Sequence, residues 1–198
     1  MKTPSGPMPT TPVRLYFDFV DPLSYVASRA LGGVGEMAEW VGFELLPAPA
    51  PLTAGNDPFW VARRRAAGQA AERLGLELAP PALVPWSRKA HELHLYATEH
   101  GRGAEIRAAV FDAFFREGRD IGRVDVLVEL AGAVGLDRTE TKAVLDVDRH
   151  EADVTAARAE AQKAGVTDVP SHVVSGRVVE GFPDPTDLGT LLPDDQRS

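Results

Sequence analysis

Cysteine is absent from all 198 residues of this sequence. Thiol–disulfide exchange requires an attacking thiolate on the protein, so the chain cannot itself be a disulfide oxidoreductase. The same absence excludes disulfide frameworks and metal sites ligated by cysteine.

Positive charge is scarce as well. The chain carries 21 Lys and Arg residues against 29 Asp and Glu residues, which gives a formal net charge of −8. This balance offers no electrostatic support for a nucleic acid or an anionic membrane, so neither is expected as a partner. No apolar run approaches the roughly 20 residues that a membrane-spanning helix needs.

Residues 1–12, MKTPSGPMPTTP, are rich in Pro and Thr and lack the apolar segment of a signal peptide. We expect a disordered leader there and, without a targeting segment, a cytoplasmic location. With 44% apolar and 25% charged residues, the chain is suited to one globular domain with a sizeable core.

Residues 14–25, RLYFDFVDPLSY, predict a strand that stops abruptly at a helix. Leu15, Phe17 and Phe19 alternate with polar or amphipathic neighbours, which is the period of a strand. Asp21 is a favourable N-cap, and Pro22 suits the first helical position. The free N–H groups of such a helix start point towards whatever lies in front of it.

The remaining elements predict an α/β fold with a helical block in the middle. After Gly32 and Gly33, a helix should resume over 36–40, and Val41, Phe43 and Leu45 predict a second strand. A proline-rich exit follows, and residues 58–165 show only helical periodicity. Residues 172–179 predict a hairpin, and Asp184-Pro185 begins a closing helix.

The turn Asp21-Pro22-Leu23-Ser24 resembles the nucleophile turn of the DsbA-like branch of the thioredoxin superfamily, where (Y/F)-D-F runs into C-P-x-C. In the 2-hydroxychromene-2-carboxylate isomerases and kappa-class glutathione transferases, the turn reads S-P-(Y/F)-(S/A). Asp21 stands at the position of the nucleophilic Cys or thiol-activating Ser, and Ser24 at that of the second Cys. The resemblance implies catalytic roles for Asp21 and Ser24.

The order of elements is similar to a thioredoxin-like fold, βαβ followed by ββα, interrupted by a helical insertion. The resemblance places the thioredoxin-like domain at residues 13–51 and 166–193. It places an all-helical insertion domain at residues 52–165.

Residues 166–171, VTDVPS, resemble the loop of this superfamily whose proline is cis. A cis bond before Pro170 would turn the backbone of Val169 towards the nucleophile turn, where it could pair with a peptide-like cofactor. His172 replaces a family Phe near the centre of the sheet. We consider it either a substrate-pocket residue or a buried histidine with a structural partner.

Two further sequence motifs resemble glutathione-binding motifs of the same relatives. Gly55-Asn56-Asp57-Pro58, with Arg65 nine positions after Asn56, resembles the G-N-x-P-P…Lys pattern whose Asn and Lys hold glutathione. Arg65 could hold a carboxylate, or it could belong to a solvated helix face. Asp184, in a loop resembling G-(S/N)-D-R, would bind the cofactor's amino group or only cap a helix.

Asp21 also has two interpretations. It could serve only as an N-cap worth about 1 kcal/mol. It could alternatively remain ionised, with a pKa at or below about 3.9, and act as a weak general base.

Trp86 could line a substrate pocket or be packed. His91, His94 and His100 share one predicted helix but supply no recognised set of metal ligands, so we predict no metal site.

The resemblance implies an enzyme that isomerises or conjugates a small aromatic or unsaturated carbonyl compound, with glutathione or another low-molecular-weight thiol as cofactor. It also implies a possible homodimer, because the relatives commonly dimerise. The alternative is a redox-silent DsbA-like module that binds a peptide or a small acid on the same surface. A third hypothesis is base catalysis by Asp21 without a thiol.

Overall fold

The structure is a computed structural model that describes residues 13–79, 82–174 and 176–182. The predicted leader, Asp184 and the predicted closing helix lie outside these residues. The described part contains six strands: β1 (Arg14–Phe17), β2 (Glu39–Gly42), β3 (Thr53–Ala54), β4 (Leu83–Val84), β5 (Ser171–Val174) and β6 (Arg177–Glu180).

Four strands form one sheet in the order β2-β1-β5-β6. Strands β1 and β2 are parallel, whereas β5 is antiparallel to both β1 and β6. This is the pairing that the predicted βαβ unit and the hairpin require, so the thioredoxin-like arrangement of the sheet is confirmed. Leu15, Phe17 and Phe19 are fully buried, as their alternation predicted.

Seven α-helices and one 3-10 helix accompany the sheet in the described residues. The 3-10 helix spans Gly32–Met37. The α-helices are α1 (Pro22–Leu31), α2 (Pro58–Arg73), α3 (Arg88–Glu99), α4 (Gly103–Phe115), α5 (Val124–Ala133), α6 (Arg138–Asp146) and α7 (Glu151–Lys163).

The predicted helix over 36–40 is wrong. The glycine-rich 3-10 helix ends at Met37, and the chain enters β2 at Glu39, earlier than the strand that the alternation predicted. Pairing with β1 explains the shift, since Leu15 lies opposite Trp40 in the register. The Trp40 ring packs edge-on against Phe17 and donates its indole N–H to the carbonyl of Gly35 at 2.7 Å.

The segment between β2 and β5 holds α2 to α7, as predicted, together with a small ribbon of β3 and β4 that the sequence did not predict. Each strand of the ribbon has two residues, too few to show an alternation. The insertion packs on α1 through aromatic rings. Tyr25 stacks on Phe115 with centroids 4.9 Å apart, and its hydroxyl donates to Asp112 at 3.0 Å.

No helix in the described part of the chain is long and apolar enough to cross a bilayer.

The interior contains one histidine whose titration should affect stability. Burial, together with the positive charges of Arg107 and His91, lowers the pKa of His94 well below 6.5. Protons therefore bind the unfolded chain before the folded one, and His94 should reduce the free energy of unfolding as the pH falls below about 6.5. We expect His94→Gln to remove a part of that decline, up to about 1.4 kcal/mol per pH unit.

Urea unfolding of both proteins between pH 7 and pH 5 checks this prediction. Burial raises the pKa of Glu44, which acts in the opposite direction, but this contribution is common to both proteins and cancels in their difference. His100→Gln, on the exposed end of the same helix, is the control. Equal pH slopes for wild type and His94→Gln would contradict the prediction.

Candidate functional site

Asp21 lies at the start of α1, where the resemblance placed the reactive group. It is fully buried, and its carboxylate accepts hydrogen bonds from the backbone N–H groups of Leu23 at 3.3 Å and Ser24 at 2.7 Å. The Ser24 hydroxyl donates a third bond at 2.7 Å. Asp21 is therefore an N-cap, as one of its two interpretations required.

Arg63, on α2, gives Asp21 a partner that a simple cap does not need. Its Nε donates to Asp21 Oδ1 at 2.7 Å, and its Nη1 donates to both carboxylate oxygens of Asp168 at 3.0 and 3.1 Å. Its Nη2 donates to the carbonyl of Val169. The guanidinium also lies over the ring of Phe59, 5.4 Å from its centroid.

The loop before β5 completes the site. The Val169–Pro170 bond is cis, as predicted. The N–H of Val169 donates to Asp168 Oδ1 at 2.8 Å, and the Ser171 hydroxyl donates to the Asp168 carbonyl at 2.8 Å. We call Asp21, Ser24, Arg63, Asp168 and Val169 the Arg63 network; it joins the helix start, the insertion and the cis-proline loop.

The electrostatics of the network differ from the sequence expectation. Burial raises the pKa of Asp21, and the charge of Arg63 and the hydrogen bonds from Ser24 only partly oppose this effect. The expectation of a pKa at or below the ordinary value was therefore wrong. Burial on its own lowers the pKa of Arg63, but the carboxylates of Asp21 and Asp168 raise it overall, so this guanidinium stays charged.

Asn56 and Arg65, the residues expected to hold glutathione, are not brought to Asp21. Both side chains are exposed. Arg65 instead lines an open groove along α2 with Arg64 and Leu76, among others. Asn56 thus lies just before α2, and Arg65 lies on the outer face of that helix, two residues away from the arginine that enters the network.

Trp86 and His172 lie in different surroundings. Trp86 is 40% exposed, donates its indole N–H to the Ala50 carbonyl at 2.8 Å and lines a cavity of about 230 Å³ with Leu52 and Leu83. His172 is buried, and its Nδ1 lies 2.7 Å from the Gly181 carbonyl, so this nitrogen carries a proton and donates it. The ring thus has a structural partner. Asp184 lies outside the described residues.

Neither Arg63 nor Asp168 was expected in the site from the sequence. One signal could have identified Arg63: the buried residues of α2 are Trp60, Arg63, Ala67 and Ala71, which recur at helical spacing. That stripe places Arg63 on the inner face and Arg65 outside it. Asp168 had no comparable signal, because its side chain is about half exposed.

A second buried carboxylate is that of Asp18, whose backbone N–H donates to the Ser24 hydroxyl at 3.4 Å. Asp18 accepts a hydrogen bond from the N–H of Leu45 at 2.7 Å, and its other oxygen lies 3.2 Å from Nε2 of His91. Across residues 13–79, 82–174 and 176–182, no group of three His, Cys, Asp or Glu side chains is placed to hold a metal ion.

Comparison with known proteins identifies the family. Residues 12–192 match the family described as DSBA-like thioredoxin domain. YwbO of Bacillus subtilis (strain 168) is 33% identical over 185 residues, covering 87% of this chain and 90% of YwbO.

Solved structures of several proteins share the fold. A probable DsbA oxidoreductase from Streptomyces coelicolor superposes with a TM-score of 0.75 at 25% identity, over 89% of this chain and 86% of its own. A 2-hydroxychromene-2-carboxylate isomerase has a TM-score of 0.72 at 20% identity, over 90% of this chain and 91% of its own.

The Asp21–Arg63 ion pair should dominate the stability of this region. Arg63→Gln leaves a fully buried carboxyl without its cation, and we expect a loss of roughly 3–5 kcal/mol in the free energy of unfolding. Arg65→Gln changes the same residue type two positions along the same helix, on the exposed face, and should change stability by less than about 0.5 kcal/mol. Urea unfolding at pH 7 measures both; equal effects would contradict the assignment.

Proposed function

This chain belongs to the family of DSBA-like thioredoxin domains, and we propose that within it the chain is a redox-silent protein that binds a small carboxylate-bearing molecule at the Arg63 network. Two facts support the proposal. The chain has no cysteine with which to exchange disulfides. The position of the nucleophile is occupied by Asp21, whose lone pairs are engaged inside the protein.

The observation that carries the proposal is the position of the Asp168 carboxylate. Its Oδ1 lies 2.8 Å from the N–H of Val169 and 3.0 Å from Nη1 of Arg63, so it accepts from both. A planar guanidinium beside a backbone N–H is a suitable receptor for a carboxylate. Asp168 thus acts as an internal ligand at a site that could take an external one.

Asp168 is also the member of the network whose side chain can turn away from Arg63. Its side chain is 51% exposed, whereas Asp21 is fully buried and Arg63 is 9% exposed. If Asp168 turns into solvent, a ligand carboxylate can take its place while Asp21 keeps the guanidinium oriented. When a ligand carboxylate replaces the Asp168 carboxylate, the ion pair with Arg63 is exchanged for an equivalent one. The carboxylate itself therefore adds little affinity, and the ligand must gain its affinity from contacts of its other atoms. The ring of Phe59, 44% exposed above Arg63, offers an apolar surface for them.

A second candidate is the thiol-dependent isomerase or transferase, with Asp21 and Ser24 orienting the thiol of glutathione. The helix start supports it, because Asp21 and the Ser24 hydroxyl stand together there. One of the structural neighbours is also an isomerase. This function requires the network to open, since the N–H and carbonyl of Val169, which would pair with the cofactor, are both bonded internally.

Removing the internal ligand tests the proposal. In Asp168→Ala, Arg63 Nη1 and the Val169 N–H lose their acceptor, so added acetate or benzoate should bind at least about tenfold more tightly than in the wild type. Isothermal titration calorimetry and the shift in melting temperature both measure this. Arg63→Gln in the Asp168→Ala background should abolish the binding.

Asp125→Ala is the matched control for this experiment. Asp125 also pairs with an arginine through both of its oxygens, but that pair lies on the exposed surface. Its removal should leave carboxylate binding at the wild-type level. Equal affinities in wild type, Asp125→Ala and Asp168→Ala would refute the proposed site.

Glutathione and S-methylglutathione distinguish the two candidates, because they share both carboxylates and differ at the thiol. Recognition of a carboxylate predicts similar affinities, within about threefold, and tighter binding of both to Asp168→Ala. A thiol-dependent function predicts that only glutathione binds and that Asp21→Asn or Ser24→Ala weakens it. The second pattern would replace our proposal with the enzyme.

A further inference from the structure

A separate cavity lies between the end of α1 and the start of α4. Its volume is about 290 Å³, close to the lower limit of known small-molecule sites, so its occupant must be small. The 3-10 helix that follows α1 closes one side. The residues that matter are Ser28, Gly32, Glu36, Ala104, Arg107 and Phe111.

Arg107 is the unusual member of this cavity. In the part of the chain that the structure describes, no acceptor lies within hydrogen-bond or ion-pair distance of its guanidinium. The group instead stacks on the Trp40 ring, 3.9 Å from its centroid. Arg29, which lines the same cavity, is by contrast paired with Asp112 at 2.5 Å.

Burial without an acceptor makes the charged form of Arg107 less stable than it would be in water. Withdrawal from water lowers its pKa to about 10, and the negative charge of Glu36 offsets this only in part. A half-buried guanidinium that is stacked on an aromatic ring is fixed in orientation and keeps its N–H groups available. An oxyanion entering the cavity would supply the missing acceptors.

Glu36 limits the charge that such an oxyanion can carry. This exposed residue lines the cavity, and its carboxylate would repel a dianion such as phosphate. Because Arg29 is already paired, Arg107 and Glu36 leave one positive and one negative charge around the cavity. The complementary ligand has one of each.

We propose that this cavity binds a free α-amino acid, with its carboxylate on Arg107 and its ammonium group towards Glu36 at the rim. The side chain of the ligand would lie against the apolar wall formed by Ala104, Ala108 and Phe111. The site is distinct from the Arg63 network, because no residue is common to both and each has its own arginine. It does not depend on the proposed function.

Calorimetric titration of the full chain with L-leucine tests the proposal against two analogues, 4-methylpentanoate, which lacks the amine, and 3-methylbutylamine, which lacks the carboxylate. Leucine should bind at least about tenfold more tightly than either one. Arg107→Gln should weaken leucine about tenfold or more. Glu36→Gln should weaken leucine but not 4-methylpentanoate, because only leucine carries the ammonium group.

Two controls locate the binding. Arg102→Gln removes an exposed arginine just before α4 and should leave leucine affinity unchanged. Asp168→Ala, which opens the Arg63 network, should also leave it unchanged, so this site is separated from the other. Arg107→Lys keeps the positive charge but not the two parallel N–H donors of the guanidinium. It replaces Arg107→Gln if that variant fails to fold, and it should still weaken the binding of leucine severalfold.

Three outcomes would overturn the proposal. One is the absence of leucine binding up to about 10 mM. Another is binding that neither Arg107 variant weakens. The third is inorganic phosphate binding more tightly than leucine, which would indicate a simple anion site.

Discussion

The fully buried carboxylate of Asp21 requires a cation, and the rest of the site follows from that requirement. Helix N–H groups and the Ser24 hydroxyl satisfy three of its hydrogen bonds, but burial raises its pKa even with these bonds and the Arg63 charge opposing the effect, so capping alone does not offset the lost hydration. Arg63 supplies the charge from α2, 42 residues away in sequence. Its other nitrogens then require acceptors, which Asp168 and Val169 provide.

One consequence is that three segments far apart in sequence are held in a single geometry. The start of α1, the inner face of α2 and the cis-proline loop each contribute to the hydrogen bonds of one guanidinium. A reactive thiol in this turn would need to stay accessible. A carboxylate and an arginine at the same place instead satisfy each other inside the protein. The side chain of the network that remains accessible to solvent is that of Asp168.

The sequence predicted what depends on neighbouring residues. The strand β1, the cap at Asp21, the pairing of β5 with β6 and the insertion helices all follow from rules that act over a few positions, and the structure contains them. The cis bond before Pro170 came from the family resemblance, and it too is present.

What the sequence did not predict depends on distant contacts. The choice of Arg63 over Arg65 is decided by a carboxylate 42 residues away and a loop 105 residues away, and a motif offset counted along one helix does not include either. The early start of β2 depends on its pairing with β1, and the β3–β4 ribbon is too short to show a pattern. Burial, which reversed the expected direction of the Asp21 pKa, is likewise a property of the whole fold.

Arg63 and Arg107 show how burial of the same side chain can lead to different roles. For Arg63, neighbouring carboxylates more than offset the loss of hydration, and its pKa is raised. For Arg107, no carboxylate lies within ion-pair distance of the guanidinium among the described residues; it stacks on the Trp40 ring, and its pKa is lowered because the charge of Glu36 only partly offsets burial. The first arginine holds the structure together and can bind a ligand only if an internal carboxylate leaves. The second has no carboxylate within ion-pair distance in the described chain, so a ligand carboxylate would not have to displace an internal one.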